Sequence, residues 1–542
     1  MQKIFICTVF ILLIFRMNLF AIDQIGQWRC YEKSFTSSVE YANPLYEVKE
    51  FKAEFQSPCG RVKTIRGFWD GGREWKIRFC PDETGTWTFT TICSDEKNSG
   101  LHQITDSFEC VRGRGQLDIY NHGVITHPKG SYHLTYADGT PFFWVACTAW
   151  NGALLSTEAE WDQYLEHRAK HGYSVIQFVT TQWRGAAANR LGQVAFTGCG
   201  RIQLNVDFFK YMDQKIQRIN DYGLVAAPVL LWALPFGQGM ELSPGYYLPE
   251  REAILLARYM VARFGGYHVV WILGGDGKYV DDLEQRWKNI GRGVFGDEHP
   301  GLVAQHPMGR SWIGQAYKDE AWLDIVGYQS SHSNAPERVD WINKGPMSQE
   351  WGQLPPKPII NLEPNYEEIR FKIKAVDVRN ACWWSVFATP PAGITYGANG
   401  IWPWIREGDT ILNHRHAPGV SPWYKSIDFP GSIQIGYLGN MLRQYPWWRL
   451  KPAPEILAEQ PGEKKAHDFI AVVKTDSDDL IMAYVPGQLT VKLFNPRQLN
   501  YKGKWFDPVN NQYAPAKIGG GPELLELVVP GEGDFVLVLQ EH

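Results

Sequence analysis

A (β/α)8 barrel, an α/β fold of the TIM-barrel type, with a β-sandwich at each end is the architecture this sequence predicts. Three observations carry it. At 542 residues the chain is too long for one hydrophobic core. From about Tyr132 to Gln444, near-continuous apolar runs alternate with helical patterns, over a length that suits a parallel barrel of ~250 residues or more. Before and after that stretch the strands are short and have no helices between them. An open doubly wound sheet is the rival, but no Gly-x-Gly-x-x-Gly turn follows the first apolar strand.

The chain starts MQKIFICTVFILLIFRMNLFAID, with Lys3 before an apolar run from Ile4 to Phe15. That run is too short to span a bilayer and reads as a signal peptide over 1–22, which makes the mature protein secreted or periplasmic. No other stretch is long enough to cross a membrane. Composition is that of a folded protein, 44% hydrophobic and 21% charged. The net charge of −4 and the lack of a basic stripe exclude nucleic acid as the expected partner. Aromatics are abundant, with 23 Trp, 25 Tyr and 27 Phe. Most fill large cores, and some suit a groove for sugar rings, whose C–H faces pack on aromatic faces. The cysteines form no framework and no Cys-x-x-Cys, so buried free thiols are expected for most.

Residues 23–115 read as the first β-sandwich. YEVKEFKAEFQ and GFWDGGREWKIRFCPDETGTWTFTT are strand runs with a hairpin at Asp70-Gly71-Gly72 and a turn at Thr84-Gly85. VRGRGQ, from Val111 to Gln116, reads as a linker.

Residues 116–446 read as the barrel. A hairpin, YHLTY-ADG-TPFFW, leads into strand one, Phe142 to Cys147. TEAEWDQYLEHRAKHG has a capping box at Thr157 and Glu160, with Gly172 past its end. Strand two is Ser174 to Thr180. Phe208, Met212, Ile216 and Ile219 recur at helical spacing, and LVAAPVLL is strand three. Helix EREAILLARYMVARF precedes strand four, Val269 to Leu273, which stops on Gly274-Gly275 with Asp276 at its tip. Strand five is Leu302 to Ala304, strand six Leu323 to Tyr328, strand seven Lys357 to Glu363 and strand eight Ala381 to Phe387. SIQIGYLGNMLRQ is the last helix. Residues 447–542 read as the second sandwich, with strands FIAVVK, LIMAYV, TVKLF, GKWFD, LLELVV and DFVLVLQ.

Chemistry in a parallel barrel sits on the loops beyond the C-terminal strand ends. The residues there are Trp150 and Asn151, Gln182 and Trp183, Trp232, Asp276, His306, Tyr328 and Gln329 with His332, Glu363, and Thr389 with Tyr396 and Asn399. Only two are carboxylates. Asp276 and Glu363, facing each other across an aromatic-lined mouth, are the pair that glycoside hydrolysis requires: one protonates the leaving oxygen, the other attacks or activates water. Pro364 fixes where Glu363 projects. Glu367 and Glu368 read instead as acids in the first turn of helix seven. Metal would call for a His-x-His after strand one, where the chain has CTAWN. His306 and His332 are therefore expected to bind sugar hydroxyls, with no metal or cofactor. Cys147 and Cys382 are expected to lie close together on neighbouring strands.

At FFWVACTAW, VVWILGGD, LDIVGYQSSH, INLEPNYE and AGITYGANGIW, in that order, the segment from about Gly123 to Ile405 resembles the apiosidase-like glycoside hydrolases, glycoside hydrolase family 140. The sandwich carrying GFWDGGREWKIRF resembles a domain often found before that catalytic module. The tail with AYVPG and GKWFDP resembles a following β-sandwich sometimes labelled collagen-binding, although nothing in it points to collagen. The resemblance implies a barrel whose catalytic pair falls on Asp276 and Glu363. It also implies plant cell-wall pectin as substrate, with apiose released from rhamnogalacturonan-II side chains. Retaining barrel glycosidases at large end strand four on Asn-Glu; here it is Gly-Asp, which argues against a cellulase or mannanase. The alternatives are a non-catalytic sugar-binding or adhesive surface protein, or a glycosidase of the same barrel clan with another specificity. A retaining mechanism is expected, with Glu363 as nucleophile, kept ionised by neighbours such as Asn361 or the strand-six loop, and Asp276 as general acid.

Overall fold

The computed structural model describes residues 23–113, 115, 117–296, 300–414 and 419–542. Residues 1–22, expected to be a signal peptide, and two residues of the expected 111–116 linker lie outside the described residues.

The barrel strands are β1 (Trp144–Thr148), β2 (Val175–Val179), β3 (Val225–Trp232), β4 (Trp271–Gly277), β5 (Val303–Pro307), β6 (Ile325–Gln329), β7 (Ile359–Glu363) and β8 (Gly393–Ala398). They pair in parallel in the order β7-β6-β5-β4-β3-β2-β1-β8. β1 and β8 are adjacent, in register from Trp144 opposite Gly393 to Cys147 opposite Tyr396. A short strand after β7, Tyr366–Glu367, pairs with the end of β8 and brings the sheet nearly to closure. Across the interior, Thr395 Oγ1 donates to Gln177 Oε1 at 2.7 Å and Gln177 Nε2 donates to the Leu362 carbonyl at 3.1 Å. The main helices are α1 (Glu158–Lys170), α2 (Val206–Asp221), α3 (Glu250–Phe264), α4 (Glu284–Phe295), α5 (Pro336–Lys344), α6 (Ala375–Phe387) and α7 (Pro430–Leu442). α1 starts with the expected reciprocal cap between Thr157 and Glu160.

One strand expectation fails. Ala381 to Phe387, read as strand eight, is the second half of α6, and β8 lies beyond it. The reason is burial on two sides. α6 packs on the barrel, and its outer side is covered by the C-terminal sheet: Trp383 stacks on Tyr484 at 5.7 Å and Trp384 Nε1 donates to the Phe469 carbonyl at 2.9 Å. A helix covered all round keeps no polar stripe, and a short apolar run then cannot be told from a buried strand. With Cys382 on a helix, it and Cys147 of β1 do not sit on neighbouring strands as expected. All eight described cysteines are free thiols.

Both ends of the chain are β-sheet. At the N-terminal end a five-stranded and a three-stranded sheet enclose Phe35, Phe55, Phe79, Trp87 and Phe108. At the C-terminal end a six-stranded and a three-stranded sheet enclose Val491, Trp505, Leu527 and Leu537. The N-terminal sheets are fastened to the barrel by buried charge. Arg78 donates to both Asp213 carboxylate oxygens, at 2.6 and 2.9 Å, and Arg263 joins Asp213 at 2.6 Å and Asp70 at 2.9 Å. Removing one partner of such a network strands the others without compensation. Arg78→Ala is expected to cost about 3–5 kcal/mol, read as a lower thermal midpoint. An unchanged midpoint would show that the network is not holding the two parts together.

Candidate active site

β4 does not stop at its glycines. It runs through Gly274, Gly275 and Asp276 to Gly277, with register shifts against β5 on either side of Gly275. Such shifts re-aim side chains, and here they bring Asp276 to the mouth in a left-handed conformation, φ 50°. For a non-glycine residue that costs ~1–2 kcal/mol, which the surroundings offset. The Asp276 backbone N–H donates to His306 Nδ1 at 3.1 Å.

The glycines are there because large side chains occupy the space a Cβ would need. A Cβ on Gly275 would fall 2.6 Å from the Trp232 ring and 2.8 Å from Val229. On Gly274 it would meet the Tyr279 hydroxyl at 2.5 Å and Trp287 at 2.9 Å. Gly275→Ala must therefore displace Trp232 at the floor of the site, and a loss of about 1–3 kcal/mol is expected together with a fall in kcat/KM. Gly487→Ala, where nothing lies within 4 Å, is the control. Indistinguishable midpoints and kcat/KM for the two variants would refute the packing argument.

Glu363 ends β7 opposite Gln329 of β6, and is 6% exposed. Two imidazoles hold its carboxylate. His332 Nε2 lies 2.9 Å from Oε1, and His306 Nε2 lies 3.2 Å from Oε2, close enough to pair but out of line for a strong hydrogen bond. His306 thus touches both acids, through the Asp276 amide and the Glu363 carboxylate.

The two acids experience opposite fields. Burial, and then the neighbouring Glu363 charge, push the Asp276 carboxyl well above the usual carboxylate range, with Arg184 opposing in part. The Asp276 carboxylate has no hydrogen bond or ion pair among the described residues. Burial also pushes Glu363 up, but the two imidazoles beside it, His306 and His332, outweigh it and hold Glu363 below the usual range. The two carboxyls are thus pushed in opposite directions, the arrangement that acid catalysis beside a nucleophile needs.

The expected sugar-lining residues separate into groups. Trp150, Trp183 and Trp232 form the floor beside the acids, at 2%, 1% and 3% exposed, with Trp183 and Trp232 rings 4.3 Å apart and Trp150 5.6 Å from His306. Tyr328 and Tyr396 are not at the mouth. Tyr328 points outward onto Trp341 of α5, and Tyr396 points outward, its hydroxyl donating to Glu367 at 2.7 Å. Strand side chains alternate between faces, and in a barrel both faces are buried, so the outward positions are as apolar as the inward ones. Asn151, Gln182 and Asn399 hold backbone: Asn151 donates to the Gly185 and Pro403 carbonyls and accepts from Trp183 Nε1, Gln182 clamps Ala195 and Phe196, and Asn399 donates to the Glu368 carbonyl. Gln329 is buried beside Glu363, with its Oε1 unpaired.

Four further expectations change. His306 is fully buried and His332 is bound to Glu363, so both serve the carboxylate rather than sugar hydroxyls. Asn361 does not reach the Glu363 carboxylate; it donates to Ser330 and Ser385 and accepts from the Glu363 amide. Glu367 lies in a strand and accepts from Tyr396 and the Gly431 amide, where α7 begins. Glu368 precedes a short 3-10 turn, not α6.

Two residues were not singled out from sequence. Tyr366 accepts from Trp150 Nε1 at 2.8 Å and packs on His332 with centroids 4.1 Å apart. Arg184, next to Trp183, is half-buried beside the mouth, and its guanidinium donates to the Asn413 carbonyl at 3.0 Å. Their only sequence signal was adjacency to Glu363 and Trp183. Among the described residues no group of three or more His, Cys, Asp or Glu is placed to hold a metal ion.

The family described as "Apiosidase-like, catalytic domain" matches residues 128–449, and a domain of unknown function, DUF5060, matches residues 24–94. Among solved structures, one named "Glycoside hydrolase" is 23% identical with a TM-score of 0.68, covering 79% of this chain and 99% of its own. A glycoside hydrolase family 5 protein from Bacteroides vulgatus is 22% identical with a TM-score of 0.68, covering 79% of this chain and 95% of its own. A second Bacteroides vulgatus structure is 16% identical with a TM-score of 0.70, covering 96% of this chain and 100% of its own. At these identities the likeness is one of fold. No curated protein matches the chain.

Proposed function

From the premise that this chain belongs to the apiosidase-like catalytic domains and is a glycoside hydrolase, we propose that it is an exported enzyme acting on plant cell-wall polysaccharide side chains of the rhamnogalacturonan-II type. The observation that carries the mechanism is the opposed state of two acids at one mouth, Asp276 pushed up and Glu363 held down.

In the first step the ionised Glu363 attacks the anomeric carbon while Asp276 gives its proton to the leaving oxygen. The glycosidic bond breaks as the ester to Glu363 forms. In the second step the ionised Asp276 takes a proton from water, which attacks the same carbon and frees Glu363. The aromatic floor of Trp150, Trp183 and Trp232 gives the sugar an apolar face to pack on. Export rests on the leader read at 1–22. The substrate class rests on the family and on the five motifs that resemble it.

A panel of pectic oligosaccharides tests the reading. Release of apiose is expected. Release of a different sugar would move the enzyme to another specificity. No release from any member, with binding retained by an Asp276→Asn, Glu363→Gln double variant, would make the chain a sugar-binding protein.

A further inference from the structure

His332 has an acceptor at each ring nitrogen. Nδ1 is 2.9 Å from the Pro364 carbonyl oxygen, and Nε2 is 2.9 Å from Glu363 Oε1. Neither a carbonyl nor an ionised carboxylate donates, so both contacts need an N–H from the ring. A neutral imidazole carries only one. His306 is placed differently. Its Nδ1 accepts the Asp276 amide proton at 3.1 Å, so its single ring proton is on Nε2, turned toward Glu363 Oε2 at 3.2 Å.

We propose that His332 is a positioning residue that works as an imidazolium, the fixed cationic partner of the Glu363 carboxylate, while His306 is its neutral neighbour and bridge to Asp276. The proposal rests on Glu363 being the ionised nucleophile. His332 does not pass its proton on. It holds the attacking oxygens in place, and in the second step it stabilises the charge that returns to Glu363 as the ester is cleaved. The pairing of an N–H on each side also fixes the ring plane against Tyr366, 4.1 Å away.

The titratable and charged groups around His332 are few. Glu363 and Tyr366 are in contact with it, and His306 and Asp276 lie beyond Glu363. Asp377 accepts from Asn334, two residues along, and His467 bonds to the Asn334 carbonyl. Of these only Glu363 reaches the His332 ring nitrogens.

Neutron diffraction of the deuterated wild-type protein at the pH of maximal activity reads the proton count directly. Deuterium on both Nδ1 and Nε2 of His332, and on Nε2 alone of His306, is expected. One deuterium on His332 overturns the proposal. If the missing one is found on the Glu363 carboxyl, the reading of Glu363 as nucleophile falls with it. A bare Glu363 beside a neutral His332 leaves that reading standing and sinks only the imidazolium.

Kinetics give a second reading. His332→Gln keeps an amide donor for Glu363 but loses the charge, so the acid limb of kcat/KM should move up by about one pH unit or more. His332→Ala loses both and should add a fall in kcat. An acid limb unmoved in His332→Gln, in a variant with the wild-type melting temperature, would reduce the residue to a structural role.

Discussion

Glu363→Gln is expected to lower turnover by about five orders of magnitude on every substrate, whatever its leaving group. An amide cannot form the glycosyl ester, so neither step has a route through the enzyme. Small external anions should restore part of the activity by attacking the anomeric carbon from the vacated side, and that product should have inverted configuration. The fold should survive, because the amide has the size of the carboxyl and its oxygen can still accept from His332, and a melting temperature near that of the wild type is the control. Azide should also rescue Asp276→Asn, there with retention, because it attacks the glycosyl-enzyme from the face the acid occupied. If azide rescues Glu363→Gln with retention and Asp276→Asn with inversion, the two acids have exchanged roles. Product configuration, followed by NMR as the first sugar appears, tests the mechanism itself: an inverted first product from the wild type means that water attacks directly.

Asp276→Asn should lose about 10²–10⁴-fold on natural linkages, which need a protonated leaving oxygen, and far less in the first step with an activated aryl leaving group. The second step should then become limiting, because no base prepares the water, and the glycosyl-enzyme should accumulate. The pH profile adds an independent reading. On the proposed mechanism, activity requires Glu363 ionised and Asp276 protonated. It therefore falls as pH drops through the depressed Glu363 value and falls again as pH rises through the elevated Asp276 value. The alkaline limb should vanish in Asp276→Asn. If the limb persists unchanged, another group is the acid.

Much of the barrel was legible because its signals are local. α1 could be read from Thr157 and Glu160, since a capping box is a contact between residues three apart, and the structure forms it. α3 falls on EREAILLARYMVARF from Glu250 to Phe264, where apolar and charged positions keep helical spacing. β7 and its terminal acid were legible because Pro364 ends the strand at a fixed place. What failed was α6. Its outer side is polar or apolar only according to what covers it, and the C-terminal sheet that covers it lies about a hundred residues away in sequence.

The candidate site divides the same way. Which acids stand at strand ends could be read locally, Asp276 after a glycine pair and Glu363 before a proline, because backbone constraints act on the residues that carry them. The sequence also supplied the tryptophans near them. What each residue faces depends on the assembled barrel. Tyr328 and Tyr396 turn outward, Asn361 turns to Ser330 and Ser385, and His306 and His332 turn onto Glu363. On a strand buried on both sides, inward and outward residues look alike in sequence. Their direction is set by the pleat and by neighbours brought together through closure of the barrel. The proton balance of the two acids has the same origin, since burial and the partners at hydrogen-bond distance exist only once the strands have been brought side by side.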